Sequence, residues 1–224
     1  MRVSAGAFPA LVQKKRRGGK KCAKSVDKAS KKCYNEKGTS KAKGEEDMEL
    51  LVISDAHGNR EAICEALRRQ VRPPDALLFL GDGLRDLPDL PNERTALYAV
   101  AGNCDGYLPF FPEGEDRELC LLSLDGHRLL LTHGHRFGVK GGCGALLTYA
   151  AQQGADIVLY GHTHLPHAEV IPAGTVLGGL ATERPIYLFN PGSIGQDVDG
   201  KGYSFGTVTL RGNNVLLSHG RILR

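Results

Sequence analysis

The feature that most constrains the fold of this chain is a pattern repeated at the ends of five apolar runs. Each run ends in a small residue and is followed at once by side chains that can bind a metal ion. Short apolar runs bounded in this way are typical of buried strands, so these side chains are expected at strand exits. The five exits are Asp55-Ala56-His57, Gly81-Asp82, Gly102-Asn103-Cys104-Asp105, Thr132-His133-Gly134-His135 and Gly161-His162-Thr163-His164.

Strand and helix patterns alternate in the first part of the chain after residue 47. Residues 49–54, 76–80 and 96–100 are predicted to be buried strands, and residues 59–72 carry apolar positions at helical spacing. A β-α-β-β beginning favours an α/β fold. In open α/β sheets, sites form at the carboxyl ends of strands, where separate loops converge.

The later part of the chain carries a hairpin signal, a helix and several short strands. Asp125-Gly126 between the apolar runs 118–124 and 127–132 predicts a hairpin. Residues 143–153 suit a helix that stops at Gly154. Gly and Asn separate further strand candidates, which favours antiparallel pairing at residues 168–171, 186–189, 204–210 and 215–218.

The fifth exit offers two imidazoles at one strand end. The run from Ile157 to Tyr160 predicts a buried strand that ends at Gly161 and is followed by His162 and His164. If the backbone stays extended, side chains at these two positions project on the same side. Two surface histidines on a loop are the alternative for an isolated H-x-H. The four other exits favour a metal site.

The ligand types indicate a particular metal chemistry. The exits supply two Asp, four or five His and one Asn, with no obligatory thiolate. This set of oxygen and imidazole donors suits Mn²⁺, Fe, Zn²⁺ or Co²⁺ better than a structural zinc site. Seven ligands are too many for one ion but suit two ions that share a carboxylate. Two metals about 3.5–4 Å apart can activate a water and clamp a phosphoryl group.

The charge of the chain divides at residue 47. Residues 1–47 carry 14 Lys/Arg against 5 acidic residues, whereas residues 48–224 carry 15 against 20. The first part is predicted to be a disordered basic extension, or to result from a start codon placed upstream of Met48. Contact with nucleic acid and a nuclear address are alternatives. The second part is one domain, and it lacks the Lys/Arg track of a nuclease.

Cysteine usage and hydropathy predict a cytoplasmic location. The six cysteines show no paired C-x-x-C spacing, which favours free thiols in a reducing compartment. No apolar run approaches the roughly 18 residues that span a bilayer. The apolar stretch at residues 5–12 precedes the basic cluster, which is the wrong order for a secretory signal. We therefore expect no membrane partner.

The ordered motifs carry a family resemblance. D-A-H-G-N, G-D-G, G-N-C-D, T-H-G-H and Y-G-H-T-H, followed by N-P-G-S at 190–193, resemble those of the calcineurin-like metallophosphoesterase superfamily. The blocks G-N-C-D, T-H-G-H-R-F-G and G-H-T-H-L-P are most similar to its small YfcE-type phosphodiesterases. The resemblance spans roughly residues 48–218. It implies a four-layer αββα sandwich of two mixed β-sheets flanked by helices.

The resemblance also implies roles for individual residues. One metal would be bound by Asp55, His57 and His164, the other by Asn103, His133 and His162, with Asp82 as the bridge. The implied cofactors are two divalent ions, with manganese favoured and iron, zinc, cobalt or nickel as alternatives. Asn103 and His133 would also orient the substrate phosphate, and His135 is a candidate substrate contact.

Cys104 departs from the broad superfamily, many members of which have histidine there, hydrogen-bonded to the following acid. The resemblance makes Cys104 and Asp105 candidates for protonation of the leaving group. A thiol is a poorer general acid, so substrates with good leaving groups, such as aryl phosphodiesters, are expected to turn over better. The alternative is that Cys104 is only a small residue tolerated beside a ligand.

The resemblance implies a phosphodiesterase in which a metal-bridging hydroxide attacks phosphorus. Alternatives are a phosphomonoesterase and, from another class, an interaction scaffold like the retromer subunit of this fold. All seven ligand positions keep metal-competent residues, which favours an enzyme. The oligomeric state stays open, homodimers and higher oligomers included. Residues 190–193 are expected to form a turn beside the site, and His127, His167 and His219 to be surface or core residues.

Overall fold

The computed structural model of the protein describes residues 47–90, 94–106 and 116–223. The helices of this part are α1 (Arg60–Arg68) and α2 (Gly144–Gln153). The strands are β1 (Met48–Ile53), β2 (Ala76–Phe79), β3 (Ala96–Ala99), β4 (Leu119–Leu124), β5 (His127–Thr132), β6 (Ile157–Leu159), β7 (Pro166–Ile171), β8 (Val176–Leu177), β9 (Leu180–Ala181), β10 (Ile186–Pro191), β11 (Tyr203–Arg211) and β12 (Asn214–Ile222). The predicted basic extension lies outside the described residues, apart from Asp47.

Ten of these strands form two mixed sheets of five. The first sheet has the order β12-β11-β1-β2-β3 and the second β4-β5-β6-β10-β7, while β8 and β9 form a small separate hairpin. Strands β1, β2 and β3 are parallel, as are β5, β6 and β10. The carboxyl ends of three strands therefore lie together at one edge of each sheet.

Residues that alternate along the strands pack into different hydrophobic clusters between the layers. In β1, Leu51 and Ile53 pack in one cluster with Ile63 of α1, whereas Leu50 and Val52 pack in another with strands of the second sheet. The opposite face of the second sheet packs on α2 in a third cluster. Because successive strand residues face opposite sides, each inner strand contributes to two cores. The predicted αββα sandwich is confirmed.

Local signals account for most element boundaries. Asn59 begins α1 because its side-chain oxygen accepts a hydrogen bond from the Ala62 amide (3.1 Å). This helix ends at Arg68, earlier than the predicted Arg72. Helix α2 ends at Gly154 in the left-handed conformation, as predicted. Asp125 and Gly126 both have positive φ and close the predicted hairpin between β4 and β5.

The predicted antiparallel pairing of the later strands is correct for β11–β12 and β7–β10. It is wrong for β10 on its other side, where the strand pairs with β6 in parallel. None of the described helices has the length and hydropathy that crossing a membrane requires. Cys64, Cys104, Cys120 and Cys143 are free thiols.

Candidate metal centre

The carboxyl edges of the two sheets meet at short backbone contacts. The Asp55 amide donates to the Gly81 carbonyl (2.9 Å), and the Ile194 amide donates to the Ser54 carbonyl (3.1 Å). Gly161 lies so close to Ser54 that a Cβ there would overlap the serine Oγ. The exits of β1, β2, β6 and β10 are therefore held against one another.

Carboxylates and imidazoles gather where these exits meet. Three overlapping groups of residues each place their ligand atoms within 4.8 Å of one another: Asp55, His57 and His164; Asp55, Asp82 and His133; and His57, Asp82 and Cys104. The structure thus brings together side chains from all five exits, which are far apart in the sequence. Asp55 and Asp82 each belong to two groups.

The surroundings of one oxygen of Asp55 indicate whether a cation fits this cluster. Asp55 Oδ1 is buried and lacks a hydrogen bond among the described residues. The Nε2 atoms of His164, His57 and His133 lie around it at 3.1, 3.8 and 3.9 Å. Leaving a buried polar atom unsatisfied costs about 1–3 kcal/mol, and more for a charged group. A divalent cation between these donors would offset that cost, so the residues fit a metal.

The imidazole rings face one another in two pairs. His162 Nδ1 lies 3.2 Å from His133 Nε2, and His164 Nε2 lies 3.3 Å from His57 Nε2. The expectation that an extended strand end carries both His162 and His164 is wrong. Strand β6 ends at Leu159, and both residues have positive φ, 67° and 63°. The turned backbone directs the His162 ring to His133 and the His164 ring to His57.

Left-handed backbone is concentrated at the candidate ligands. Within the described residues, six non-glycine residues have positive φ, and one of them, Asp125, is in the hairpin turn. The others are Asp55, His57, Asp82, His162 and His164. This conformation costs an L-residue roughly 1–2 kcal/mol. Such strain persists where the surrounding structure imposes it, most often at functional sites.

Burial and neighbouring charges set the pKa values of the cluster. Burial alone would raise the pKa of Asp82, but hydrogen bonds from His133 and from the Cys104 amide hold it well below its usual range. Burial lowers the pKa of His162 to about 4, and the positive charges of His133 and Lys140 act in the same direction. His162 is therefore neutral near pH 7, which is the form that binds a metal.

Hydrogen bonds outside the cluster orient two of the rings. His133 Nδ1 donates to the Leu80 carbonyl (2.8 Å), which leaves Nε2 facing the cluster. His164 Nδ1 lies 3.1 Å from Gln196 Oε1. Such partners commonly fix the tautomer and orientation of metal-binding histidines. No sequence motif marks Gln196.

The turn predicted at residues 190–193 is wrong for its first half, because Asn190 and Pro191 are the last residues of β10 and pair with β7. Asn190 Nδ2 donates to the Gly161 carbonyl and to Thr163 Oγ1, both at 3.0 Å. Ser193 Oγ donates to the Asp55 carbonyl (2.9 Å). Asn190 is fully buried and follows an apolar run, as at the other exits, and that signal was available in the sequence. These side chains support the exits of β1 and β6.

Asp105 anchors two loops. Its Oδ1 accepts hydrogen bonds from the amides of Gly83 and Leu84, and its Oδ2 from those of Asp82 and Gly102, at 2.7–2.9 Å. Both carboxylate oxygens are thus engaged by backbone at the exits of β2 and β3. The catalytic role that the resemblance implies for Asp105 stays a prediction.

The remaining candidates lie on the rim. Cys104 is exposed, and a hydrogen bond with Asp82, together with burial, raises its pKa to about 11. Asn103 is exposed, and its amide lies 3.3 Å from Cys104 Sγ. The ring of His135 is centred 5.5 Å from that of His133 and 6.1 Å from that of His162.

An αββα sandwich with acidic and imidazole side chains at its strand exits defines a metal-binding protein of the phosphoesterase type. Residues 48–213 match the family model described as the calcineurin-like phosphoesterase superfamily domain. The chain belongs to this superfamily.

Relatives with known names support the same family. The chain is 31% identical over 150 residues to the probable metallophosphoesterase YsnB of Bacillus subtilis (strain 168), which covers 66% of this chain and 75% of the relative. It is 32% identical over 189 residues to the phosphodiesterase YfcE of Escherichia coli (strain K12), covering 75% of this chain and 90% of YfcE.

Two solved structures have a similar fold. A protein of Streptococcus pneumoniae TIGR4, described as a predicted phosphoesterase, has a TM-score of 0.58 at 28% identity, covering 79% of this chain and 90% of its own. Vacuolar protein sorting 29 from Cryptosporidium parvum has a TM-score of 0.53 at 19% identity, covering 79% and 99%. At that identity the second likeness shows the fold alone.

Proposed function

We propose that the protein is a metal-dependent phosphodiesterase with two divalent ions at the strand exits. The unsatisfied buried oxygen of Asp55 among three imidazole nitrogens is the observation that carries this proposal. The likeness to YfcE favours a phosphodiester substrate. The family match begins at residue 48, which supports a domain over 48–224 preceded by an extension.

The proposed division of ligands combines one of the side-chain groups, Asp55, His57 and His164, with a second set taken from the family resemblance. One ion is assigned to Asp55, His57 and His164, the other to Asn103, His133 and His162, and Asp82 is shared. Supporting this, Asp82 Oδ2 lies 3.3 Å from His133 Nε2 and 3.9 Å from His57 Nε2, one from each set. The ions, with manganese favoured, would supply Lewis-acid activation of water and of the phosphoryl group.

The chain's own residues position the reactants. Asn103 and His133 would orient the phosphate, and His135, beside both His133 and His162, would contact the substrate. Asp105 holds the loops of β2 and β3 through four amides, so we assign it to positioning. Catalysis then rests mainly on orientation and on stabilisation of charge at the phosphoryl oxygens.

Hydrolysis of nitrophenyl esters tests the proposal. The metal-free protein is loaded with Mn²⁺ and assayed with bis(4-nitrophenyl) phosphate and with 4-nitrophenyl phosphate. We expect metal-dependent hydrolysis with preference for the diester, lost in Asp55→Asn. If the monoester is preferred, the protein is a phosphomonoesterase. If the protein binds metal and hydrolyses neither ester, it is not a phosphoesterase of this kind, and the scaffold alternative gains support.

Cys104 is the candidate for assisting the leaving group. Its Sγ lies within 4.8 Å of ligand atoms of His57 and Asp82, on the rim of the cluster. In Cys104→His, we expect turnover of esters with poor leaving groups to rise relative to that of aryl diesters, because imidazole is the better general acid near neutral pH. An unchanged ratio of turnover between esters with poor leaving groups and aryl diesters would mean that Cys104 is only a small residue beside the ligands.

A further inference from the structure

Strand β7 (Pro166–Ile171) lies at an edge of the second sheet. Within the described part of the chain, its neighbouring strand is β10, which pairs with it in antiparallel orientation. Ala168, Glu169 and Val170 are exposed, and the exposed fraction of Val170 is 52%. A sheet edge with unpaired backbone groups is a template for pairing with another strand. The free side of β7 is therefore a candidate interaction surface.

The backbone groups of Ala168 and Val170 point to this free side. In β10, the Tyr187 amide and the Phe189 carbonyl form hydrogen bonds of 2.8 and 3.0 Å with the residues on either side of β6. Val170 lies opposite Tyr187, and Ala168 lies opposite Phe189. In an antiparallel ladder, the two residues of such a pair direct their N–H and C=O groups away from each other. The Ala168 and Val170 groups therefore face away from β10.

The side chains of β7 alternate between two faces that differ in character. His167 and Glu169 lie on the face toward α2, where His167 Nδ1 lies 2.9 Å from Tyr160 Oη. His167 Nε2 lies 3.7 Å from a carboxylate oxygen of Glu169. Because successive strand residues face opposite sides, Pro166, Ala168 and Val170 share the other face. One face of the edge is thus charged and the other is apolar.

One antiparallel register between two copies of β7 matches both faces. With a twofold axis at Ala168, His167 of each copy lies opposite Glu169 of the other, and Pro166 lies opposite Val170. The two Ala168 residues then exchange hydrogen bonds across the axis, and each Val170 amide can donate to the Pro166 carbonyl of the other copy. An axis one residue away would place Glu169 opposite Glu169, or His167 opposite His167. Charge complementarity therefore favours the register centred on Ala168.

We propose that the protein forms a homodimer in which β7 pairs with β7 of a second copy, in antiparallel orientation about Ala168. The two five-stranded sheets then join into one continuous sheet. Such an interface is isologous, because each copy contributes the same strand. None of the paired residues is a candidate metal ligand, so this inference is independent of the proposed phosphoesterase function.

Sedimentation velocity of the full chain over a wide range of concentrations measures the dissociation constant of the dimer. Ala168→Pro removes the amide at the twofold axis. Because that amide faces away from β10, the substitution leaves the pairing within each copy intact. We expect dimerisation to weaken about a hundredfold, since both copies lose the central hydrogen bond.

A charge exchange tests the register itself. His167→Glu should weaken dimerisation about tenfold, because like charges then face each other twice across the axis. Adding Glu169→Lys to this variant restores opposite charges and should return the dissociation constant to within about threefold of the parent. Ser123→Glu is the matched control and should match the parent, because Ser123 is exposed on β4 at the other edge of the same sheet. Urea unfolding of every variant separates loss of pairing from loss of the fold.

A parent protein that stays monomeric at the highest concentration would overturn the proposal, and the edge would then be open to a strand of another protein. Dimerisation that Ala168→Pro leaves unchanged would also overturn it, because the dimer would then use another surface. The same holds if the double variant folds as stably as the parent but does not recover the affinity that His167→Glu loses. Recovery of dimerisation in the double variant supports the register.

Discussion

Both ends of β5 and β6 adjoin buried histidine and aspartate side chains, but the hydrogen bonding of these side chains differs between the two ends. At their beginning, His127 Nδ1 and Nε2 lie 2.9 Å from Asp156 Oδ2 and from the Gly212 carbonyl. The Arg128 amide donates to Asp156 Oδ1 (2.7 Å). Every polar atom of this pair has a partner, and neither residue has positive φ.

At the other end, the exits of β5 and β6 meet those of β1 and β2, and the residues gathered there include an unsatisfied oxygen and strained backbone. Asp55 Oδ1 lacks a hydrogen bond within the described chain, imidazoles face each other, and five candidate ligands adopt left-handed backbone. Residue type alone therefore does not separate structural from functional sites. The useful distinction is whether the protein completes the hydrogen bonding of its own buried groups.

The largest expected difference between the two ends is in catalysis. Asp82→Asn should lower kcat/KM for bis(4-nitrophenyl) phosphate at least a thousandfold, about 4 kcal/mol, because the shared carboxylate loses its charge. The matched substitution Asp156→Asn should leave kcat/KM within threefold of the parent. Similar losses in both variants would mean that Asp82 acts through folding and not through the reaction.

The free energy of unfolding should respond in the opposite order, with the larger loss for the substitution at Asp156. Asp156→Asn should lower the free energy of unfolding by about 3 kcal/mol, because an amino group replaces one of the two buried oxygens that accept hydrogen bonds from His127 and the Arg128 amide. In the metal-free protein, Asp55→Asn should cost less than about 1 kcal/mol. The asparagine oxygen can keep the hydrogen bonds that Oδ2 accepts from Ser54 Oγ and the His162 amide, so that only the 3.1 Å contact of Oδ1 with His164 Nε2 changes. Urea unfolding in the presence of a chelator measures both. A larger loss in Asp55→Asn would show that the metal-free carboxylate already stabilises the fold.

Metal addition should raise the free energy of unfolding only in proteins that keep the metal centre at the carboxyl end intact. At a hundredfold excess of Mn²⁺ over its dissociation constant, the parent should gain about 2.7 kcal/mol per ion, because the ion binds the folded state. Thermal unfolding at several metal concentrations measures this gain. Asp156→Asn should gain the same amount, while Asp55→Asn gains much less. Equal gains in all three proteins would place the metal elsewhere.

The smallest effect concerns backbone strain. His57 has φ of 45°, so His57→Gly should relieve strain that His57→Ala retains. Both variants lose a ligand and should lose activity. In the metal-free state, the free energy of unfolding should be about 0.5–1 kcal/mol higher for the glycine variant than for the alanine variant. Urea unfolding compares them directly. If alanine proves the more stable replacement, the left-handed backbone at residue 57 carries no stored strain.

Sequence patterns predicted most of the fold because the signals were local. Asp125-Gly126, Asn59 and Gly154 mark a hairpin, a helix start and a helix end through their own backbone preferences. Parallel pairing of β10 with β6 was missed because it depends on which distant strand lies beside β10. Asn190 and Gln196 were missed as supporting residues because their partners are about 30 residues away in the sequence.

The sequence by itself determined which residue types follow each buried strand, and hence the family and the candidate ligands. Only the tertiary structure decided how those side chains meet. Strand β6 ends before His162, and left-handed turns send His162 to His133 and His164 to His57. Apolar periodicity reports burial of a face, but it carries no information on the φ angles that packed neighbours impose. Those angles place the unsatisfied oxygen of Asp55 among imidazoles.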